Sequence, residues 1–189
     1  MSSANQPPPL AEAEVCAAER ELGISFPAEY REYLLCVSAG GRFAHLEQSE
    51  GGWWWADNSV QRRALLTEPF PHPDSYADAD RALEEREPRR EDFADDESFY
   101  TAWRAWDAEC AVAEEHKAAG AIVIEEHGCG FATLLAITGP LAGTFWWDGR
   151  ATCGEILPLS RDHVGGGRSV CLDEWILYGS WNLLPPGWG

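Results

Sequence analysis

GCGFATLLAITGPLAGTFWWDGR, from Gly128 to Arg150, holds two short apolar runs joined and bounded by glycines. Phe131, Leu134, Leu135 and Ile137 follow one glycine pair, and Gly139, Pro140 and Gly143 punctuate the chain before Phe145 to Trp147. Short apolar runs between turn formers read as buried strands, so the stretch predicts a hairpin. Glycine at such places supplies positive φ or close backbone approach. A phosphate-cradling loop would continue into Lys-Ser/Thr, and none follows.

Working outward, Ala121 to Glu126 precedes the hairpin as another strand. Ile156 to Leu159 follows as an edge strand, where Pro158, which lacks an N–H, is tolerated. Gly165 to Gly167 then reads as a flexible turn. Ser169 caps a last helix with Leu172, Trp175, Ile176 and Tyr178 on its buried side, and Pro185, Pro186 and Gly187 forbid its extension. Towards the amino end, Leu10 to Leu22 is rich in alanine and glutamate and stops at Gly23, a left-handed cap position. A second helix opens at Pro27, places Tyr30, Tyr33, Leu34 and Val37 on one apolar face, and closes at Ser38 to Gly41.

In the middle, Phe43 to Leu46 and Trp53 to Ala56 read as strands around the turn Ser49 to Gly52. Residues 68 to 97 are rich in Pro and Asp, lack apolar periodicity, and are expected as an extended loop or insertion. Ser98 or Asp96 caps a third helix, whose Phe99, Trp103, Trp106, Cys110 and Ala113 share one face down to Gly120 and are expected to be core. This order predicts an α+β fold: a single domain, helices packed on a mainly antiparallel sheet. Residues 1–9, with three consecutive prolines, are expected as a flexible arm, 10–184 as the domain and 185–189 as a Pro/Gly tail.

With 189 residues, 45% apolar and 12% aromatic, the chain can bury a sizeable core. Its formal charge of −18 repels nucleic acid and anionic lipid and makes a basic protein the natural counterpart. Residues 68 to 115 carry 16 Asp and Glu against 5 Arg, so more than half of the excess charge sits in a quarter of the chain. The sequence contains neither a membrane-length apolar run nor a leader-like amino terminus, so a cytoplasmic location is expected. The six cysteines, Cys16, Cys36, Cys110, Cys129, Cys153 and Cys171, form no C-x-x-C pair and are expected as reduced, mostly buried thiols.

Three chemistries can be weighed on these residues. Cys129 and His127, two apart on a strand, share a face, yet nucleophilic Cys-His pairs usually come from distant elements, and no catalytic residue is assigned. Metal ligation by His127, Cys129, Cys153 or His163 lacks zinc spacing, and His45, His72 and His116 are scattered; no metal or cofactor is expected. Asp95, Asp96 and Glu97 lack the alternating acids and central glycine of a calcium loop and fit a helix start instead.

Three blocks in order resemble the SUKH superfamily. They are ELGISFPAEYREYLLCVSAGG (Glu21 to Gly41), IEEHGCGFATLLAITGPLAGTFWWD (Ile124 to Asp148) and CLDEWILYGSW (Cys171 to Trp181). The resemblance implies one α+β domain without catalysis, whose bacterial relatives are mostly toxin-immunity proteins and whose fungal relatives regulate cell-wall assembly. The matching positions, among them Leu22, Gly23, Pro27, Tyr30, Gly128, Gly130, Gly139, Gly143 and Trp147, are mainly fold-making. Partner choice is therefore expected where the chain departs from the pattern: the run Trp53, Trp54, Trp55 and the acidic segment.

Of ten tryptophans, Trp103, Trp106, Trp146, Trp147 and Trp175 lie on predicted core faces, leaving Trp53, Trp54, Trp55, Trp181 and Trp188 as candidates for exposure. Trp53, Trp54 and Trp55 are the expected anchors of a partner interface. Asp74, Asp78, Asp80, Glu84, Glu85, Glu91, Asp92, Asp95 and Asp96 are the expected carboxylates that meet a basic partner such as a toxin domain. The alternative is a regulator that recruits endogenous proteins.

Overall fold

The structure is a computed structural model and describes residues 6–41, 43–56, 60–152, 154–163 and 167–188. Two helices come first, α1 (Glu12–Leu22) and α2 (Ala28–Cys36), then a hairpin of β1 (Leu46–Ser49) and β2 (Gly52–Trp55). Next come α3 (Ala77–Glu85) and α4 (Asp96–His116), then four strands, β3 (Ala121–Gly128), β4 (Phe131–Ala136), β5 (Phe145–Asp148) and β6 (Ile156–Pro158), and finally α5 (Leu172–Tyr178). The four strands form one antiparallel meander in chain order, with Leu134 opposite Trp146 and Trp147 opposite Leu157. Pro158 lies in the edge strand, as its missing donor requires.

Both faces of this sheet are covered, which explains why its strands read as continuous apolar runs instead of alternating ones. Ile122, Ile124, Leu135, Phe145 and Trp147 point into one core with α1, α2, α5 and the β1–β2 hairpin. Val123, Ala132, Leu134 and Trp146 point the other way and meet Phe70 and Ala118, which flank α3 and α4 in the chain. The result is a single α+β domain with two apolar layers on one sheet.

Local chemistry fixes the corners. Gly23 takes the left-handed cap at φ 71°, and Glu19 Oε1 accepts the Phe26 N–H at 2.9 Å across the turn between α1 and α2. Glu29 in the first turn of α2 accepts the Leu172 N–H at 2.8 Å and so anchors the start of α5. Gly120 sits at φ 65°, and a Cβ there would lie 2.3 Å from the Glu68 carbonyl oxygen, so the entry to β3 requires glycine. Gly128, Cys129 and Gly130 are all left-handed, at φ 80°, 53° and 82°, and together make the tip of the β3–β4 hairpin.

Several sequence expectations need correction. The first short strand is Leu46–Ser49 and not 43–46, although the Ala44 N–H still pairs with the Ile124 carbonyl at 2.9 Å. Residues 68–97 are not simply extended: α3 occupies Ala77–Glu85, with only Leu83 buried. One apolar anchor on an otherwise polar helix leaves no periodicity to read. Val37 is 51% exposed because α2 ends one residue earlier. Cys171, not Ser169, is the cap of α5, and Ser169 instead bridges to Ser160. Pro7 and Pro8 offer their carbonyls to the Ser38 hydroxyl and the Ala39 N–H, which fastens this part of the expected arm to the loop after α2. Of the expected turn at 165–167, Gly165 and Gly166 lie outside the described residues.

Candidate partner-binding surface

The acidic segment is a helical excursion from the sheet, held at its base by charge and at its tip by a narrow apolar seam. At the base, Lys117 is 13% exposed and lies 2.9 Å from Asp80 and 2.5 Å from Glu114, with its ammonium 5.2 Å from the centre of the Tyr76 ring. Arg150 bridges Glu114 to Asp148, the last residue of β5. Burial pushes the Tyr76 phenol up to about 12, so it stays neutral beside these charges. Along the seam, the Trp106 indole donates to the Leu83 carbonyl at 2.9 Å, and Arg86 grips Glu109 with bonds of 3.1 and 2.8 Å.

On that frame most of the expected carboxylates stand free of the core. The side chains of Asp74 and Asp78 are each 94% exposed, and Asp78 pairs with Arg81 at 2.9 Å. Glu84, Glu85, Glu91 and Asp92 are exposed. Asp95 is the cap of α4: its carboxylate accepts the Ser98 N–H at 2.8 Å, and that bond holds the carboxyl below its usual range. Asp96 is exposed and pairs with Arg90 at 2.6 Å. Asp80 departs from the set, since its bond to Lys117 makes it part of the joint.

The tryptophan run divides by the alternation of a strand. Trp53 and Trp55 are 3% and 1% exposed, and the Trp55 indole donates to the Tyr30 hydroxyl at 2.7 Å. Both are core side chains on the α1 side of the sheet, which removes them as anchors open to a partner. Trp54 faces outward, half-buried, with the Arg63 guanidinium 5.6 Å from its ring centre. Phe70 and Ala118, which flank the acidic helices in the chain, pack on the opposite face, so the two expected halves of the interface do not meet.

Aromatic residues are also exposed on α4. None of the 21 residues of this helix is buried, which corrects the expectation that its stripe is core. Tyr100 and Trp103 are 56% and 36% exposed, while Phe99 and Trp106 are half-buried. Tyr100 lies off the stripe of Phe99, Trp103 and Trp106, and that offset was the available signal that the aromatics exceed what one buried face can hold.

The His127 and Cys129 pair is not assembled. The His127 ring stacks on Trp147 at 5.0 Å and meets the edge of Trp181 at 5.8 Å. Its Nε2 is 2.8 Å from the Thr133 hydroxyl, which is 2.6 Å from the Ser180 hydroxyl, itself an acceptor for the Trp175 indole at 2.8 Å. Burial lowers the His127 pKa, opposed by the nearby Glu125 and Glu126. Cys129 is exposed at the hairpin tip with a free thiol. Cys36 is exposed too, and Cys16, Cys110 and Cys171 are half-buried, so the described thiols are less buried than expected. Among the described residues no three His, Cys, Asp or Glu side chains converge on a metal-sized site; Cys153 lies outside them. No described helix is long and apolar enough to cross a membrane.

Meander, paired amino-terminal helices and closing helix define a class of small α+β domain, here elaborated by an acidic helical excursion. The chain belongs to the SMI1 / KNR4 family (SUKH-1), whose family model matches residues 9–174. Membership supports a general immunity or regulatory role exerted through protein–protein contact. No curated protein and no solved structure matches the chain.

Proposed function

We propose that this protein is an immunity protein that binds the basic domain of a cognate toxin and neutralises it by occlusion, without chemistry of its own. The observation that carries this reading is the excursion itself: Asp74, Asp78, Glu84, Glu85, Glu91 and Asp92 are all exposed along one stretch of chain that contributes no strand to the meander. Carboxylates so displayed imitate a run of phosphates to a nuclease-like surface and steer encounter, which can raise association towards roughly 10⁸ M⁻¹s⁻¹ at low salt. An interface of about 1,600 Å² would be ordinary for such a pair.

The test is co-expression. The carboxy-terminal domain of a large toxin encoded beside this gene should arrest growth when expressed alone and cease to do so when this chain is present. An isolated locus, together with capture of endogenous regulators by the purified chain, would instead establish the regulatory alternative.

A further inference from the structure

We propose that the outer face of the first half of α4 is a cation-receiving anchor, in which Tyr100 and Trp103 take an arginine or lysine side chain of a basic protein segment. The proposal rests on the reading of this chain as a binder of a basic protein and names where its affinity resides. Phe99, Tyr100, Trp103 and Arg104 line an open groove of about 600 Å³. Asp96, Tyr100, Trp103 and Asp107 fall at i, i+4, i+7 and i+11 and therefore share one face, two aromatic rings with a carboxylate one turn above and one below. The rings are supported from behind: Phe99 lies 5.2 Å from Tyr100 and 5.9 Å from Phe93, and Trp106, 6.4 Å from Trp103, is bonded to α3.

Charge complementarity selects the occupant. An aromatic face attracts a cation through its quadrupole, most strongly for tryptophan, and the Asp107 carboxylate reinforces that attraction, while Asp96 shares its charge with Arg90. Exposed carboxylates steer but hold little, because surface ion pairs are individually weak, whereas a partly desolvated aromatic contact anchors. Arg104 is the one positive side chain lining the groove, and its Nε donates to the Tyr100 carbonyl at 3.1 Å. It opposes a cationic guest, which gives the proposal a sign that can be checked.

The experiment titrates the full-length chain with a hexa-arginine peptide at low salt and follows the indole N–H resonances by NMR. The Trp103 indole should shift at saturation. Trp103→Ala should weaken binding about tenfold with an unchanged melting temperature, Tyr100→Ala should weaken it several-fold, and Arg104→Ala should tighten it. If reversal of Asp74, Asp78, Glu84 and Glu85 to Lys abolishes binding while Trp103→Ala leaves it intact, the anchor is wrong and the acidic-surface reading stands. Weaker binding by Arg104→Ala, or self-association of the native chain that Trp103→Ala removes, would assign the groove to an acidic segment or to a second copy and overturn the proposal. No binding of hexa-arginine by the native chain would overturn both readings.

Discussion

Arg150 holds Asp148 through two parallel hydrogen bonds, Nε to Oδ1 at 2.8 Å and Nη2 to Oδ2 at 2.7 Å, while its Nη1 donates to the Glu114 carbonyl at the far end of α4. Asp148 ends β5 and is almost wholly buried, so this fork is where the acidic excursion is pinned to the sheet. Burial works against the guanidinium charge, but the Asp148 and Glu114 contacts outweigh it and keep Arg150 ionised. Removing one partner of a buried pair strands the other. Asp148→Ala should therefore cost about 2–4 kcal/mol in urea unfolding, and amides of α4 should exchange faster than those of α1. Equal protection of both helices in the variant would show that α4 is held elsewhere.

A second buried bond makes a cleaner test of the core. The Trp55 indole donates to the Tyr30 hydroxyl, and burial raises the phenol's pKa, so it serves as a neutral acceptor at any working pH. Tyr30→Phe keeps the ring packing with Phe26 but leaves the Trp55 N–H without an acceptor. The expected loss is about 1–3 kcal/mol, read as a lower urea midpoint with an unchanged slope.

The pH dependence of His127 follows from its burial. Its folded-state pKa lies below the ordinary value near 6.5, so between the two the unfolded chain binds more protons. This contribution to stability is complete above about 6.5 and is lost as the pH falls towards the folded pKa. The native chain should lose stability as the pH falls below about 6.5, and His127→Gln should lose measurably less over the same interval. Parallel curves would place the proton elsewhere.

Steering should be separable from anchoring once a partner is in hand. Reversal of Asp74, Asp78, Glu84 and Glu85 to Lys should lower the association rate at least tenfold at low salt and flatten its salt dependence, with a smaller change in dissociation. Asp80 is best left intact, because its loss would loosen Lys117 and confound the rate with the fold. An on-rate indifferent to these reversals would remove charge as the guide.

Cys129 offers a test of inertness. Cys129→Ser should leave both stability and protection unchanged, whereas Cys129→Val should destabilise by about 1 kcal/mol or more, because a β-branched side chain tolerates φ 53° poorly. Loss of protection in a folded Cys129→Ser chain would bring thiol chemistry back into consideration.

What the residues alone determined was whatever depends on neighbours in sequence. Gly23 at the end of α1, the glycines around the β3–β4 and β4–β5 turns, and the edge position of Pro158 follow from backbone sterics and a missing donor, and each is found as read. The apolar runs likewise marked β3, β4 and β5. What only the tertiary structure decided was which apolar side chains have something to pack against. Trp53 and Trp55 find α1 and α2 and vanish into the core, while the α4 aromatics find Phe93 and the narrow α3, itself hidden in the sequence because one buried leucine makes no period. Burial is a property of the partner surface as much as of the residue. The same tryptophan therefore reads alike in sequence, whether it ends up as filling or as a handle.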